Sequence, residues 1–280
     1  MGQDYAVKKN YVSIFVPSHQ TENNLHEYMQ KKVLVGQVWQ LDDMLSSDKT
    51  YNTPPSSQEN DIRLLADTIK HFSNPTPCNY VLHGVFRGTA TIIALLNNMH
   101  RYDIKPEQIK ALVLESPYTH MQNVIQHKQR KPFFMPERAS ISEKALNAIW
   151  HVIPDIFKTK IAEKHLELTT TYNAQDKQPI DSLKNIPRNI PILFINSNED
   201  DENPVEEAWK LYALLAQRGH QYIHFYELTS GEHEKYIYDK SSAEYTRIVN
   251  AFYKKYGLPY HQRQADMGKE LLEESFSTSL

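Results

Sequence analysis

The apolar run Tyr80-Val81-Leu82-His83 passes straight into the helix-like segment Thr89–His100 through Gly84-Val85-Phe86-Arg87-Gly88, with no polar loop between. A buried strand that ends in Gly-x-x-x-Gly and continues at once as a helix turns too tightly for a Cβ on either side of the central residue. That central residue is then held in a strained conformation at the top of a sheet. Glycine occurs only 8 times in 280 residues, under half of the usual share of about 7%. Two of these few glycines at the required positions constrain the fold strongly.

The rest of the chain agrees with a strand-to-helix corner. Short β-branched runs at Tyr11–Val16, Val33–Val38, Tyr80–His83, Ala111–Leu114, Ile192–Ile195 and Tyr222–Tyr226 read as strands. They alternate with helical patterns at Asn23–Lys31, Gln58–Phe72, Thr89–His100, Pro204–Arg218 and Ser242–Tyr256. This alternation predicts an α/β fold, a doubly wound and mostly parallel sheet covered on both faces. Within Gln58–Phe72, Ile62, Leu65, Ala66, Ile69 and Phe72 recur at helical spacing. At about 150 residues per domain the length allows two domains, or one large α/β domain with an insertion. The alternation breaks between Tyr118 and Asn189, which predicts a helical cap over about 120–189 within a single domain of residues 1–258. Its aromatic residues Phe133, Phe134, Trp150 and Phe157 are expected to contact the sheet domain, with Lys128, Arg130 and Lys131 on a solvated face. A groove for an acyl chain beneath the cap is the functional alternative. Residues 259–280 read as a polar tail.

Composition removes several classes of function. The 31 basic and 34 acidic residues give a net charge of −3, which leaves no positive field to hold a nucleic acid. Cys78 is the sole cysteine, so no internal disulfide or thiolate metal site is expected. The apolar stretch Tyr11–Val16 is too short for a signal peptide or a spanning helix. No metal or cofactor is expected, because His-Glu-x-x-His, calcium-loop and Gly-rich phosphate-loop patterns are missing. A cytoplasmic location follows as the expectation.

Gly84-Val85-Phe86-Arg87-Gly88 resembles the nucleophile elbow Gly-x-Ser-x-Gly of the α/β-hydrolase superfamily. Leu112–Thr119 is similar to the strand and loop after the elbow helix in cap-bearing members. Ile190–Pro204 is similar to the strand ending in His-Gly-x-x-Asp-x-x-Val-Pro, with Asn196 and Ser197 in place of His-Gly. Tyr226–His233 resembles the last strand and the histidine loop. The resemblance implies an α/β-hydrolase fold that starts at the family's third strand. It implies Asp200 at the acid position (with Asp201 adjacent to it), His233 at the histidine position and the Arg87 backbone at an oxyanion position.

The departure is at the elbow itself. Phe86 stands where the family has Ser, Cys or Asp, and a phenyl ring has no lone pair or ionisable proton to attack with. The loop Pro17-Ser18-His19-Gln20-Thr21, which would give the second oxyanion donor, lacks glycine. Ser116 and Ser197, just beyond strand ends, are the substitute nucleophiles to test; Thr89 is expected to point into packing, and Cys78 to lie at the bottom of the sheet. The favoured expectation is a non-hydrolytic pseudoenzyme that binds an acyl-type ligand or a protein partner. The alternative is a hydrolase of esters or acyl substrates that uses a relocated serine or a water activated by His233 and Asp200. The tail Lys269–Leu280, with clustered glutamates before small hydroxylated residues, also resembles the unstructured export signals of type IV-secreted bacterial effectors. It reads otherwise as a frayed terminus.

Overall fold

The structure, a computed structural model, describes residues 11–17, 29, 33, 37–41, 58–74, 78–130, 153–169, 177–233, 236–238 and 240–277. Its centre is a sheet of β1 (Tyr11–Val16), β2 (Gln37–Gln40), β3 (Asn79–Val85), β4 (Ile109–Glu115), β5 (Ile192–Ser197), β6 (Ile223–Leu228) and β7 (Phe276–Ser277). The spatial order is β2-β1-β3-β4-β5-β6-β7. The first six strands are parallel, and β7 pairs antiparallel with β6. The helices are α1 (Gln58–Phe72), α2 (Arg87–Asn97), α3 (Met121–Arg130), α4 (Asp155–Thr169), α5 (Pro179–Ser182), α6 (Val205–Gln217), α7 (Ser242–Lys255), α8 (Gln262–Met267) and α9 (Lys269–Glu274).

Because side chains alternate along a strand, each buried strand feeds two cores. Tyr80, Leu82, Leu112, Leu114, Ile192 and Phe194 face one side, where Ile62, Leu65, Ala66 and Ile69 of α1 and Leu211 and Leu215 of α6 cover them. Val81, Val85, Ala111, Val113, Leu193 and Ile195 face the other, against Tyr245, Ile248, Val249 and Phe252 of α7. Each fully buried Ile or Leu contributes roughly 1.5–3 kcal/mol relative to exposure, which is why the apolar stripe fixes the α1 bounds. Acidic Glu59 and Asp61 in its first turn, with Lys70 and His71 in its last, also suit the helix dipole. The chain winds from β1 to β2 in one direction and to β3 in the other. The strand order therefore reverses beside the carboxyl ends of β1 and β3, the place where open α/β sheets bind ligands.

Several expectations need correction. Among the described residues the second strand covers Gln37–Gln40, and Val33, expected at its start, instead closes a turn by donating its N–H to Met29 O at 2.9 Å. Phe157 is not buried as an aromatic contact of the cap was expected to be: it is 56% exposed, beside exposed Ile156 and Ile161, while Lys158 and Thr159 are the buried ones among the described side chains of α4. Phe133, Phe134, Trp150 and Lys131 lie outside the described residues, as do the side chains of Lys128 and Arg130. So does most of the predicted helix Asn23–Lys31.

The polar tail is also corrected. Through residue 277 it is neither frayed nor unstructured but folds as α8, α9 and β7. Ala265 and Leu272 are buried, and the Ser275 hydroxyl lies 3.2 Å from Nδ1 of buried His224. A Cβ at Gly268 would come within 2.2 Å of Arg247 O, so glycine lets α8 and α9 lie close against α7.

Candidate functional site

At the end of β3 the backbone turns into α2 around Phe86, whose φ is 45° and ψ −105°. The glycines beside it are a steric requirement. A Cβ at Gly84 would lie 2.8 Å from Thr89 N, and one at Gly88 would lie 1.9 Å from Val16 O at the end of β1. Phe86 N–H donates to Glu115 O at 2.8 Å, and Thr89 N–H donates to Phe86 O at 3.0 Å, so both sides of the corner are tied. The Phe86 ring is half-buried and meets the His233 ring edge-to-face, with centroids 4.5 Å apart and planes at 83°. It also tilts against Tyr118 at 5.1 Å, in a small apolar cluster with Ala90, Val124 and Met121.

Asp200 and His233 come together at the carboxyl ends of β5 and β6. His233 Nδ1 lies 2.9 Å from both Asp200 oxygens. Asp200 Oδ1 also accepts the backbone N–H of Glu202 at 3.1 Å and of Asn203 at 2.9 Å, which folds the acidic loop around the carboxylate. Its Oδ2 accepts hydroxyl donors from Ser116 and Tyr236, each at 2.6 Å. Burial pushes the Asp200 carboxyl up, but the hydrogen bond and charge of His233, with the two hydroxyls, hold it below the usual carboxylate range. Asp200 is therefore ionised, and Nδ1 of His233 carries the proton it donates. Adjacent Asp201 is exposed.

Ser116 and Ser197 are both fully buried. The Ser116 hydroxyl is given to Asp200 and lies 3.4 Å from Nδ1 of His233, on the acid's side of the imidazole. Ser116 itself has a φ of 48°. Asn203 Nδ2 donates to its carbonyl at 2.9 Å and lies 3.1 Å from its Oγ. Ser197 Oγ accepts Glu199 N–H at 3.1 Å. Thr89 is buried, with its hydroxyl on Phe86 O. Cys78 precedes β3, at the opposite end of that strand from Phe86, with Sγ 3.1 Å from Phe72 O. The Arg87 side chain reaches Asp61 of α1 at 2.9 Å. Ser18 to Thr21 of the second oxyanion loop lie outside the described residues.

Sequence reasoning missed two residues that hold this site, Tyr236 and Asn203. Asn203 had a local signal, an amide three positions after an acid in a strand-to-helix loop. Tyr236, whose hydroxyl oxygen also lies 2.6 Å from Asn196 Oδ1, had none. It missed, too, the buried Glu207 in the first turn of α6. Glu207 accepts from Thr119, Asn123 and Lys210, pinning the start of α3 to α6. Burial raises the Glu207 carboxyl, and the hydrogen bonds from Lys210, Thr119 and Asn123 bring it below its ordinary value. Between α3 and α4 lies a cleft of about 370 Å³ lined by Gln122, Gln126, Asp155, Ile156, Thr159, Lys160 and Glu163.

The strand order, the glycine-bounded corner and the Asp–His pair at neighbouring strand ends define an α/β-hydrolase fold. Solved structures agree. An esterase from Pyrococcus furiosus, Pf2001, superposes with a TM-score of 0.58 at 14% identity, over 89% of this chain and 82% of that one. DcsB, solved in complex with its substrate analogue, superposes with a TM-score of 0.53 at 15% identity, over 88% of this chain and 90% of that one. At these identities the likeness is one of fold. No protein-family model matches the sequence, and no curated protein matches it. Among the described residues no helix is long and apolar enough to cross a membrane.

Proposed function

We propose that this protein is a non-hydrolytic member of the α/β-hydrolase fold, which binds a ligand or a protein partner rather than turning over an ester. The observation that carries the reading is the Phe86 ring at the strand-to-helix corner, 4.5 Å from the His233 ring. In a working triad this corner presents a nucleophile whose proton the histidine accepts. Here the imidazole meets a hydrocarbon ring with no proton to give and no lone pair to attack with. Loss of the nucleophile alone removes several orders of magnitude in rate.

The relocated-serine alternative fits the geometry less well. Ser116 lies against Nδ1, the nitrogen given to Asp200, and Ser197 points its oxygen at the Glu199 backbone. The test is reaction with a fluorophosphonate probe and with short p-nitrophenyl esters. Neither labelling nor burst release is expected from the native chain. Labelling abolished by Ser116→Ala or Ser197→Ala would overturn the reading. Phe86→Ser is expected to give weak esterase activity that rises with pH as His233 becomes neutral and able to accept the serine proton, since the acid and histidine are already in place.

A further inference from the structure

The fate of His233 deepens that reading and rests on it: a triad histidine with no nucleophile opposite it still has two nitrogens to satisfy. Its Nδ1 lies 2.9 Å from Asp200 Oδ1, and its Nε2 lies 3.7 Å from Glu202 Oε2. The two carboxylates belong to one loop, two residues apart, and meet the imidazole at opposite nitrogens. The His233 side chain is only 8% exposed, and that of Glu202 is 35% exposed. We propose that His233 is held at neutral pH as an imidazolium, doubly protonated and clamped between Asp200 and Glu202, and serves as an ionic tie between the loop after β6 and the loop after β5. The former base thus becomes a cation with a holding role.

The surroundings favour the charged form. Among the described residues, the titratable groups facing His233 are Asp200 and Glu202 from the β5–α6 loop. Glu199 of the same loop accepts Gly231 N–H at 3.2 Å, and exposed Glu232 neighbours the histidine on its own loop. From β4 comes the neutral hydroxyl of Ser116, from the histidine's own loop that of Tyr236, and from the elbow the Phe86 ring. Tyr236 stays protonated, because burial and the nearby Asp200 raise it far above its ordinary value. The two carboxylates at the opposite nitrogens of His233 favour the charged form, against the cost of burying it. Deprotonation would leave Nε2 as an acceptor facing a carboxylate, which weakens the tie and makes the contact between the two loops sensitive to pH.

The experiment is nitrogen-15 NMR of the full-length protein, with the His233 signals assigned by their loss in His233→Gln. Both ring nitrogens are expected to carry protons at neutral pH, with a titration midpoint above that of exposed histidines. Glu202→Gln is expected to lower the proton affinity about tenfold, while Glu199→Gln, which removes the same charge without touching the ring, has a smaller effect. A native His233 protonated at Nδ1 alone at neutral pH overturns the proposal, as do equal effects of the two variants. This outcome is separable from the hydrolysis tests, because the native chain can prove inert to esters with a neutral His233.

Discussion

Ser116 Oγ donates to Asp200 Oδ2 at 2.6 Å across 84 positions of sequence, and Tyr236 donates to the same oxygen from the other side. Both hydroxyls serve a buried, ionised carboxylate, and a hydrogen bond to a charged group is worth about 1.5–3 kcal/mol. Ser116→Ala and Tyr236→Phe are each expected to lower unfolding free energy by that amount in urea titrations. Because they share an acceptor, the double variant departs from the sum of the single effects. A loss below about 0.5 kcal/mol in both would show that Asp200 does not depend on them.

The corner glycines separate two kinds of glycine cost. A Cβ at Gly88 would lie 1.9 Å from Val16 O, a backbone atom of the central sheet that has nowhere to go. Gly88→Ala is therefore expected to lose more than about 4 kcal/mol or to fail to fold. Gly257, with φ of 67° and open space for 4 Å around the position of a Cβ, bears only the left-handed penalty. Gly257→Ala should cost about 1–2 kcal/mol. Similar losses at the two sites would mean that the β1–α2 approach is looser than described.

Acid should destabilise the fold through its buried histidines. Burial pushes His83 down to about 3, and burial with nearby arginines or Lys255 pushes His220 and His224 to about 4. Burial lowers His261 as well. A histidine with a depressed folded value is neutral in the native state and gains its proton on unfolding. Its contribution is full above the unfolded value of about 6.5 and is lost as pH falls toward the folded value. Urea midpoints should accordingly fall between about pH 6.5 and about pH 4, with a slope of up to about 1.4 kcal/mol per pH unit for each such histidine. The Tyr245 proton goes to Glu115, so its oxygen accepts from His83 Nε2–H at 2.7 Å. Replacing His83 with Gln removes one titrating group and should make the slope shallower; an unchanged slope would assign the acid sensitivity elsewhere.

The carboxyl-terminal segment should be bound unevenly. Leu272 is 7% exposed in the α7 core and Phe276 is 58% exposed, resting edge-on to Trp209 at 4.6 Å. Leu272→Ala is expected to cost about 2–5 kcal/mol, and Phe276→Ala about 1 kcal/mol or less. Thermal unfolding of the two variants checks the order, and the reverse order would show that β7 rather than α9 anchors the tail.

These contrasts also show which features the amino-acid order made legible. The bounds of α1 follow from Ile62, Leu65, Ala66 and Ile69, whose spacing specifies one buried face without any partner being known. The corner at Phe86 was legible because glycine is scarce and its two flanking copies answer a purely local steric demand. Asp200 and His233 were singled out by resemblance to the family's strand ends, and because each follows an apolar strand, topology brings the two side chains to one end of the sheet. Tyr236 and Asn203 were not, since their roles exist only where loops separated by 36 and 87 positions from their partners meet. Phe157 misled for the opposite reason: an aromatic residue reads as core, and only the packing of α4 shows that Lys158 and Thr159 take the inner side. The tail misled because Ala265 and Leu272 are too few to mark a helix pair in an otherwise polar stretch.

The sharp bend before α2 is imposed by Gly84, by Gly88 and by the hydrogen bonds on either side of residue 86, and nothing in those constraints specifies a benzyl group. Holding a non-glycine residue at φ 45° consumes about 1–3 kcal/mol whatever side chain is attached. The scaffold thus offers a socket whose shape is independent of its contents, and an engineer could fit hydroxyl, thiol or carboxylate there without redrawing the backbone.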